Sequence, residues 1–324
     1  MRQTKVPGFF CVLLAVAILS SAVSASAQSR HRRRAQRPTV ALVLGGGGAK
    51  GAAEVGVLKA IEESGVPIDY VVGTSIGSIV GGLYSLGYRS AELDSLFSNQ
   101  NWTQLFNDLR VKDDDRSEQI YGFGLLKGKG ILEFLDTLAA SRPTYRGPGR
   151  FPDSILFDRL PIPYRAVAAD VRTGTAVALS QGSLPMAMRA SMSIPGAFKP
   201  VRIDTLVLLD GGVVNNLPVD VARAMGADYV IAVDLTQNKH PDYKPKAIRK
   251  SMPQGVKWVR SRPDYVNYNR NRTDCDIYIN PNLKGYGATS FKGKAIRAMI
   301  DIGRQAGREK LGELRALRRK VTGK

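Results

Sequence analysis

The sequence predicts an α/β fold built as three layers, α/β/α, around a mostly parallel central sheet. Three observations predict it. Short apolar runs alternate with stretches of helical periodicity. The runs are apolar on both faces, as strands covered on both sides must be. Glycine or small-residue turns follow them, where the chain leaves a strand for the next helix. The chain has 324 residues, 44% of them hydrophobic, and its two cysteines are Cys11 and Cys275. Cys11 lies in an amino-terminal apolar stretch expected to be removed, so stability must come from a core and not from a disulfide.

Residues 1–27 combine a basic start (Arg2, Lys5), an apolar stretch from Phe9 to Leu19 and the close Ala25-Ser26-Ala27. This is the pattern of a cleaved signal peptide, the apolar stretch being shorter than the roughly 20 residues of a bilayer span. Export to the periplasm, the outer-membrane periphery or the medium is therefore expected. Residues 28–38, with Arg30, Arg32, Arg33, Arg34 and Arg37, read as a basic flexible linker, and residues 39–324 as the catalytic domain with a basic helical extension.

Within that domain, Thr39 to Leu44 reads as a buried strand entering Gly45-Gly46-Gly47-Gly48-Ala49-Lys50-Gly51, then a helix with Val55, Leu58 and Ile61 on one face, closed near Gly65. A second strand, from Ile68, reaches Gly73-Thr74-Ser75-Ile76-Gly77 and another helix carrying Ile79, Val80 and Leu83. Ser90 to Leu109 is mainly helical, Asp113 to Asp115 a solvated loop, and Gly128 opens a helix through Leu132, Leu135 and Leu138. Tyr164 to Val171 and Thr175 to Leu179 form a hairpin about Arg172-Thr173-Gly174. A short helix (Ser183 to Met192), a strand ending Asp210-Gly211-Gly212, a helix (Val219 to Met225) and a strand (Tyr229 to Leu235) follow. Residues 237–273 break the pattern, Asp276 to Asn280 is an edge strand, and Phe291 to Lys320 is a basic helix or helix pair whose apolar side docks on the sheet.

The chemistry centres on Ser75. GxSxG between a buried strand and a helix is the sequence of a nucleophile elbow, which presents a serine hydroxyl at the carboxyl end of the strand. A serine needs a base. The chain has only two histidines, His31 in the basic arm and His240 in a polar loop, and Asp210 is the better candidate because it ends an apolar strand at the same edge of the sheet. Partial burial makes such a carboxylate a stronger base. The glycine run can converge backbone amides on an oxyanion, next to the positive end of a helix. Gly46, Gly48 and Gly51 also fit the dinucleotide pattern GxGxxG, but the acidic residue that pattern requires after the second strand is replaced by Gly73-Thr74-Ser75.

On Gly46-Gly47-Gly48-Ala49-Lys50-Gly51, Gly73-Thr74-Ser75-Ile76-Gly77 and Asp210-Gly211-Gly212, in that order, the chain resembles the patatin-like phospholipase family, bacterial branch. The segments Arg189 to Gly196 and Asn215 to Pro218 look like family sequence around the site. The resemblance implies a patatin-like fold and a Ser75–Asp210 dyad cleaving fatty acyl esters of lipids without cofactor or metal. It also implies oxyanion donors at Gly46, Gly47 and Gly48, with Lys50, Gly51, Gly73, Gly77, Gly211 and Gly212 supporting the motifs. An esterase or thioesterase on small acyl esters, or a non-catalytic lipid-binding protein, are the alternatives. No alternating strands follow residue 282, so a soluble or peripheral chain is expected.

The net charge of +19 attracts polyanions. In an exported protein these are anionic lipid headgroups rather than nucleic acid, and peripheral contact with an anionic membrane surface is expected.

Overall fold

The computed structural model describes residues 37–106, 124–143, 145, 155–237 and 264–324. The expected signal peptide, nearly all of the expected basic linker, the loop expected at Asp113 to Asp115, His31 and His240 lie outside the described residues.

The fold occupies Thr39–Lys324. It opens with β1 (Val40–Leu44), a 3-10 turn (Gly48–Gly51), α1 (Ala52–Ser64), β2 (Tyr70–Thr74), α2 (Ile76–Ser85), α3 (Ser90–Asn99), α4 (Trp102–Leu105) and α5 (Lys129–Ala140). Then come β3 (Ile155–Leu156), β4 (Tyr164–Asp170), β5 (Ala176–Leu179), β6 (Gln181–Gly182), α6 (Leu184–Ser191), β7 (Val201–Ile203), β8 (Leu206–Asp210), α7 (Val219–Ala224) and β9 (Tyr229–Val233). The described chain closes with α8 (Asp264–Asp274), β10 (Ile277–Ile279), α9 (Gly293–Glu309) and α10 (Leu311–Thr322). The helix α8 arises in the stretch where sequence periodicity failed.

The main sheet runs β10-β9-β1-β2-β4-β8-β7, with β5 also paired to β4. From β10 to β4 every pairing is parallel; β5 and β8 pair antiparallel to β4, and β7 antiparallel to β8. Side chains of β1 alternate between two apolar layers, as the period of two in a strand requires: Val40, Leu42 and Leu44 face one core, Ala41 and Val43 the other. The first core takes up α1, α2 and the terminal helices. The second is closed by Leu217, Val219 and Ala222 around α7 and by Tyr268 of α8. This is the three-layer α/β/α arrangement.

The basic extension is a helix pair, and it docks on a helix rather than on the sheet. A Cβ on Gly56 of α1 would lie 2.0 Å from the Ile300 carbonyl oxygen, and one on Gly303 of α9 would lie 1.9 Å from that of Ala53. The two helices touch backbone to backbone, and α9 buries Ile296, Met299 and Ile300 on this face while its charged side faces water. Among the described residues no helix is long and apolar enough to cross a membrane.

Candidate active site

Ser75 alone makes the turn between β2 and α2, with φ 56° and ψ −124°. A non-glycine residue in that region costs on the order of 1–3 kcal/mol and persists only where its surroundings over-determine it. Here they do. The Ser75 amide donates to Ser191 Oγ at 2.9 Å, and the Ser75 carbonyl accepts from the Ser78 amide at 2.9 Å and the Ser78 hydroxyl at 2.6 Å. The tightness of the turn explains the flanking glycines, since a Cβ on Gly77 would sit 2.4 Å from the Leu44 carbonyl oxygen and one on Gly73 2.3 Å from that of Gly77.

Asp210 meets Ser75 directly. The serine hydroxyl donates to Asp210 Oδ2 at 2.6 Å, and the Gly212 amide donates to Oδ1 at 2.7 Å. The route to this meeting differs from the one sequence suggested. Asp210 does not project from the carboxyl edge as the end of a parallel strand, because β8 runs antiparallel. Instead β4 continues beyond the end of β2, which pairs Thr74 with Val167, and β8 comes back along the overhang so that Asp210 pairs with Ala168. The carboxylate therefore arrives level with the residue after Thr74.

Burial pushes the Asp210 carboxyl up to about 6, against the opposing hydrogen bonds from Ser75 and Gly212. A carboxylate so raised is ionised at neutral pH yet basic enough to take a serine proton in a transition state.

The glycine loop lies beside the pair. A Cβ on Gly46 would fall 3.1 Å from Ser75 Cβ and 2.4 Å from Asn216 Oδ1. Of the three amides expected to face an oxyanion, that of Gly46 is already spent, donating to the Asn216 carbonyl at 3.2 Å, while Asn216 Nδ2 donates back to the Gly46 carbonyl at 3.2 Å. Gly47 and Gly48 carry the amides left over. Gly48 has φ +58°, and a Cβ there would lie 2.4 Å from the Ala288 carbonyl oxygen; that carbonyl accepts the Ala49 amide at 2.8 Å. Lys50 donates to the Leu235 carbonyl at 3.0 Å, not to Ser75 or Asp210. Burial lowers its pKa, with Asp234 opposing. Gly51 packs against Ile76 and Gly211 against the Val167 carbonyl.

Several residues that hold the site had no role assigned from sequence. Ser191 takes the Ser75 amide and gives its own proton to the Val167 carbonyl. The Ser193 carbonyl accepts the Asp210 amide at 3.0 Å. Thr74 Oγ1 donates to the Asn215 carbonyl at 2.9 Å, tying the elbow to the turn after Asp210. From α8, Asn271 donates to Asn215 Oδ1 at 3.1 Å and to Asp220 Oδ1 at 2.9 Å. Their segments were visible as sequence surrounding the motifs; their bonds depend on the assembled fold. Among the described residues no group of three or more His, Cys, Asp or Glu side chains is placed to hold a metal ion.

The family model described as patatin-like phospholipase matches residues 42–223, more than half of the chain. An uncharacterized NTE family protein of Mycobacterium bovis is 35% identical over 206 residues, covering 63% of this chain and 51% of that protein. Patatin-like phospholipase domain-containing protein 6 of Homo sapiens is 38% identical over 216 residues, covering 66% of this chain and 14% of that protein. The chain thus spans about half the length of the bacterial relative and a far smaller share of the human one. Among solved structures, VipD from Legionella pneumophila aligns with a TM-score of 0.47 at 16% identity, over 85% of this chain and 67% of that one. The type III effector protein ExoU aligns with a TM-score of 0.47 at 13% identity, over 86% and 53%.

Proposed function

This chain belongs to the patatin-like phospholipase family, and from that premise we propose that it is an exported serine hydrolase cleaving fatty acyl esters of lipids, phospholipids above all, with Ser75 as nucleophile and Asp210 as its base. One observation carries the reading: the strained Ser75 hydroxyl donates at 2.6 Å to a buried carboxylate whose basicity burial has raised.

The chemistry follows from that contact. Ser75 Oγ attacks the ester carbonyl carbon as its proton passes to Asp210. The amides of Gly47 and Gly48 receive the oxyanion, each such donor being worth roughly 3 kcal/mol in a transition state. Collapse breaks the bond to the alcohol, which leaves with the proton from Asp210, and an acyl-Ser75 ester remains. Asp210 then takes a proton from water, the hydroxide adds to the acyl carbon, and the second collapse releases the fatty acid while Ser75 regains its proton. The amino-terminal pattern of basic start, apolar stretch and Ala25-Ser26-Ala27 supports export, and the excess of positive charge supports contact with anionic membranes.

The test is hydrolysis of p-nitrophenyl butyrate and of dispersed phosphatidylglycerol by the purified chain. Ser75→Ala and Asp210→Asn should each lower turnover by about 10³-fold or more, and His240→Ala should leave it at the parent level. A Ser75→Ala protein that hydrolyses at the parent rate would refute the proposal.

A further inference from the structure

Among the described residues the large hydrophobic side chains left in solvent are Leu125, Leu156 and Ile194, with 85%, 45% and 37% of their surface exposed. Two of the three lie on one pair of hydrogen-bonded segments next to the dyad. The amides of Leu125 and Leu126 both donate to the Ala197 carbonyl, at 3.1 and 2.9 Å, and the Lys199 amide donates back to the Leu126 carbonyl at 2.8 Å. The Ile194 carbonyl accepts the amides of Ala197 and Phe198, at 3.0 and 2.9 Å. Ile194 directly follows Ser193, whose carbonyl holds the Asp210 amide.

These segments are not loose. Arg189 is fully buried, and its guanidinium donates through Nη2 to the Lys127 carbonyl at 2.6 Å and the Lys199 carbonyl at 3.2 Å. Nη1 donates to Ser193 Oγ at 2.7 Å, and the group lies 5.0 Å from the centre of the Phe198 ring. One buried cation therefore fastens the chain carrying Leu125, the chain carrying Ile194 and the residue that positions Asp210. A mobile loop tip would expose a leucine without consequence; a platform fixed this firmly presents it.

We propose that Leu125 and Ile194, held out on this Arg189-stapled platform beside Asp210, form the surface by which the protein docks on a lipid layer. The inference rests on the lipid hydrolase reading, which requires an acyl ester to leave an aggregate and reach Ser75 over a short path. Lys127 and Lys199, on the same two segments, add positive charge that complements anionic headgroups. Docking here places the layer beside the chain that holds Asp210, whereas the basic outer faces of α9 and α10 contribute attraction without insertion.

The experiment uses the full chain carrying Ser75→Ala, so that binding is read without hydrolysis, and sediments it with phosphatidylcholine vesicles and with vesicles containing phosphatidylglycerol. Adding Leu125→Ser and Ile194→Ser should weaken association with both by about tenfold or more, with the thermal unfolding midpoint unchanged. Leu125→Trp should keep the affinity, and its added fluorescence should shift to the blue on mixing with vesicles. Equal sedimentation of the serine variant and its parent overturns the proposal. So does light scattering that finds the parent dimeric and the serine variant monomeric, because a second copy would then cover the patch. Neither result bears on ester cleavage by Ser75, which is measured separately on a soluble ester.

Discussion

The hydroxyl of Ser191 receives the Ser75 amide at 2.9 Å while giving its own proton to the Val167 carbonyl, on the strand that also places Asp210. One side chain thus ties the strained Ser75 to the strand that places Asp210. A hydroxyl at 191 with both its donor and its acceptor in use has a single orientation, so the elbow inherits the rigidity of β4.

Ser191→Ala should therefore damage turnover more than folding. The Ser75 amide loses its buried acceptor, a loss of about 1–3 kcal/mol, and the elbow is freed to relax from its strained geometry. The expected result is a fall in kcat of about tenfold to a hundredfold with KM little changed, against a modest drop in unfolding midpoint. Ser191→Thr, which keeps the hydroxyl, should recover part of the rate. Steady-state kinetics on p-nitrophenyl butyrate beside thermal unfolding of all three proteins separates positioning from simple destabilisation.

Asp210 sets a pH dependence of opposite sign for rate and stability. Its carboxyl, raised from 3.8 to about 6, must be ionised to accept the Ser75 proton, so kcat/KM should rise with pH along an acid limb centred near 6. For stability, a carboxyl with a raised folded pKa favours the fold while protonated; that advantage is fully present below 3.8 and is lost as pH climbs through about 6. Asp210→Asn should then abolish activity yet stabilise the protein at pH 7, by up to about 3 kcal/mol. Urea unfolding of both proteins at pH 4 and pH 7 checks it: the gap should be small at the lower pH and open at the higher.

What the sequence made legible followed from local chemistry. Ser75 and the glycine loop are signalled by short-range pattern, because a turn this tight admits few residues. Asp210 was legible as an acid ending an apolar strand, but the direction of β8 was not, since an apolar run has no mark of parallel or antiparallel pairing. The spending of the Gly46 amide on Asn216 and the stapling role of Arg189 were also out of reach, because both join segments far apart in the chain. Helix α8 was missed for a related reason. Its sequence is polar, and it is held by Tyr268, whose hydroxyl donates to Asp234 at 2.6 Å, and by the Asn271 bonds to Asn215 and Asp220.

Gly48→Ala tests the oxyanion loop. The residue holds φ +58°, which costs alanine about 1–2 kcal/mol, and its new Cβ would press on the backbone oxygen of Ala288. Since that contact is with backbone and not with a pliant side chain, the loop itself must shift. Stability should fall by about 2 kcal/mol or more, and kcat should drop further than that alone explains, because the amides of Gly47 and Gly48 move off the oxyanion position. Measuring kcat well below the unfolding midpoint, where the variant is fully folded, isolates the second effect. An unchanged kcat there would remove these two amides from the mechanism.

Glu54, in the first turn of α1 behind the glycine loop, is fully buried and neither carboxyl oxygen has a hydrogen-bond partner. Burial pushes its pKa well above the ordinary 4.5; the nearby Gly45 backbone amide opposes the rise and the Asp234 carboxylate adds to it. Burying a carboxylate here is costly, which favours its protonated form. The folded chain consequently binds a proton that the unfolded chain releases once pH passes about 4.5, and this contribution to stability declines as pH rises from there towards the folded pKa. Glu54→Gln keeps the shape and removes the titration. The stability of the variant relative to its parent should therefore climb as pH rises above about 4.5, as read from urea unfolding at each unit of pH. A difference that stays flat as pH rises would mean the folded protein carries Glu54 ionised.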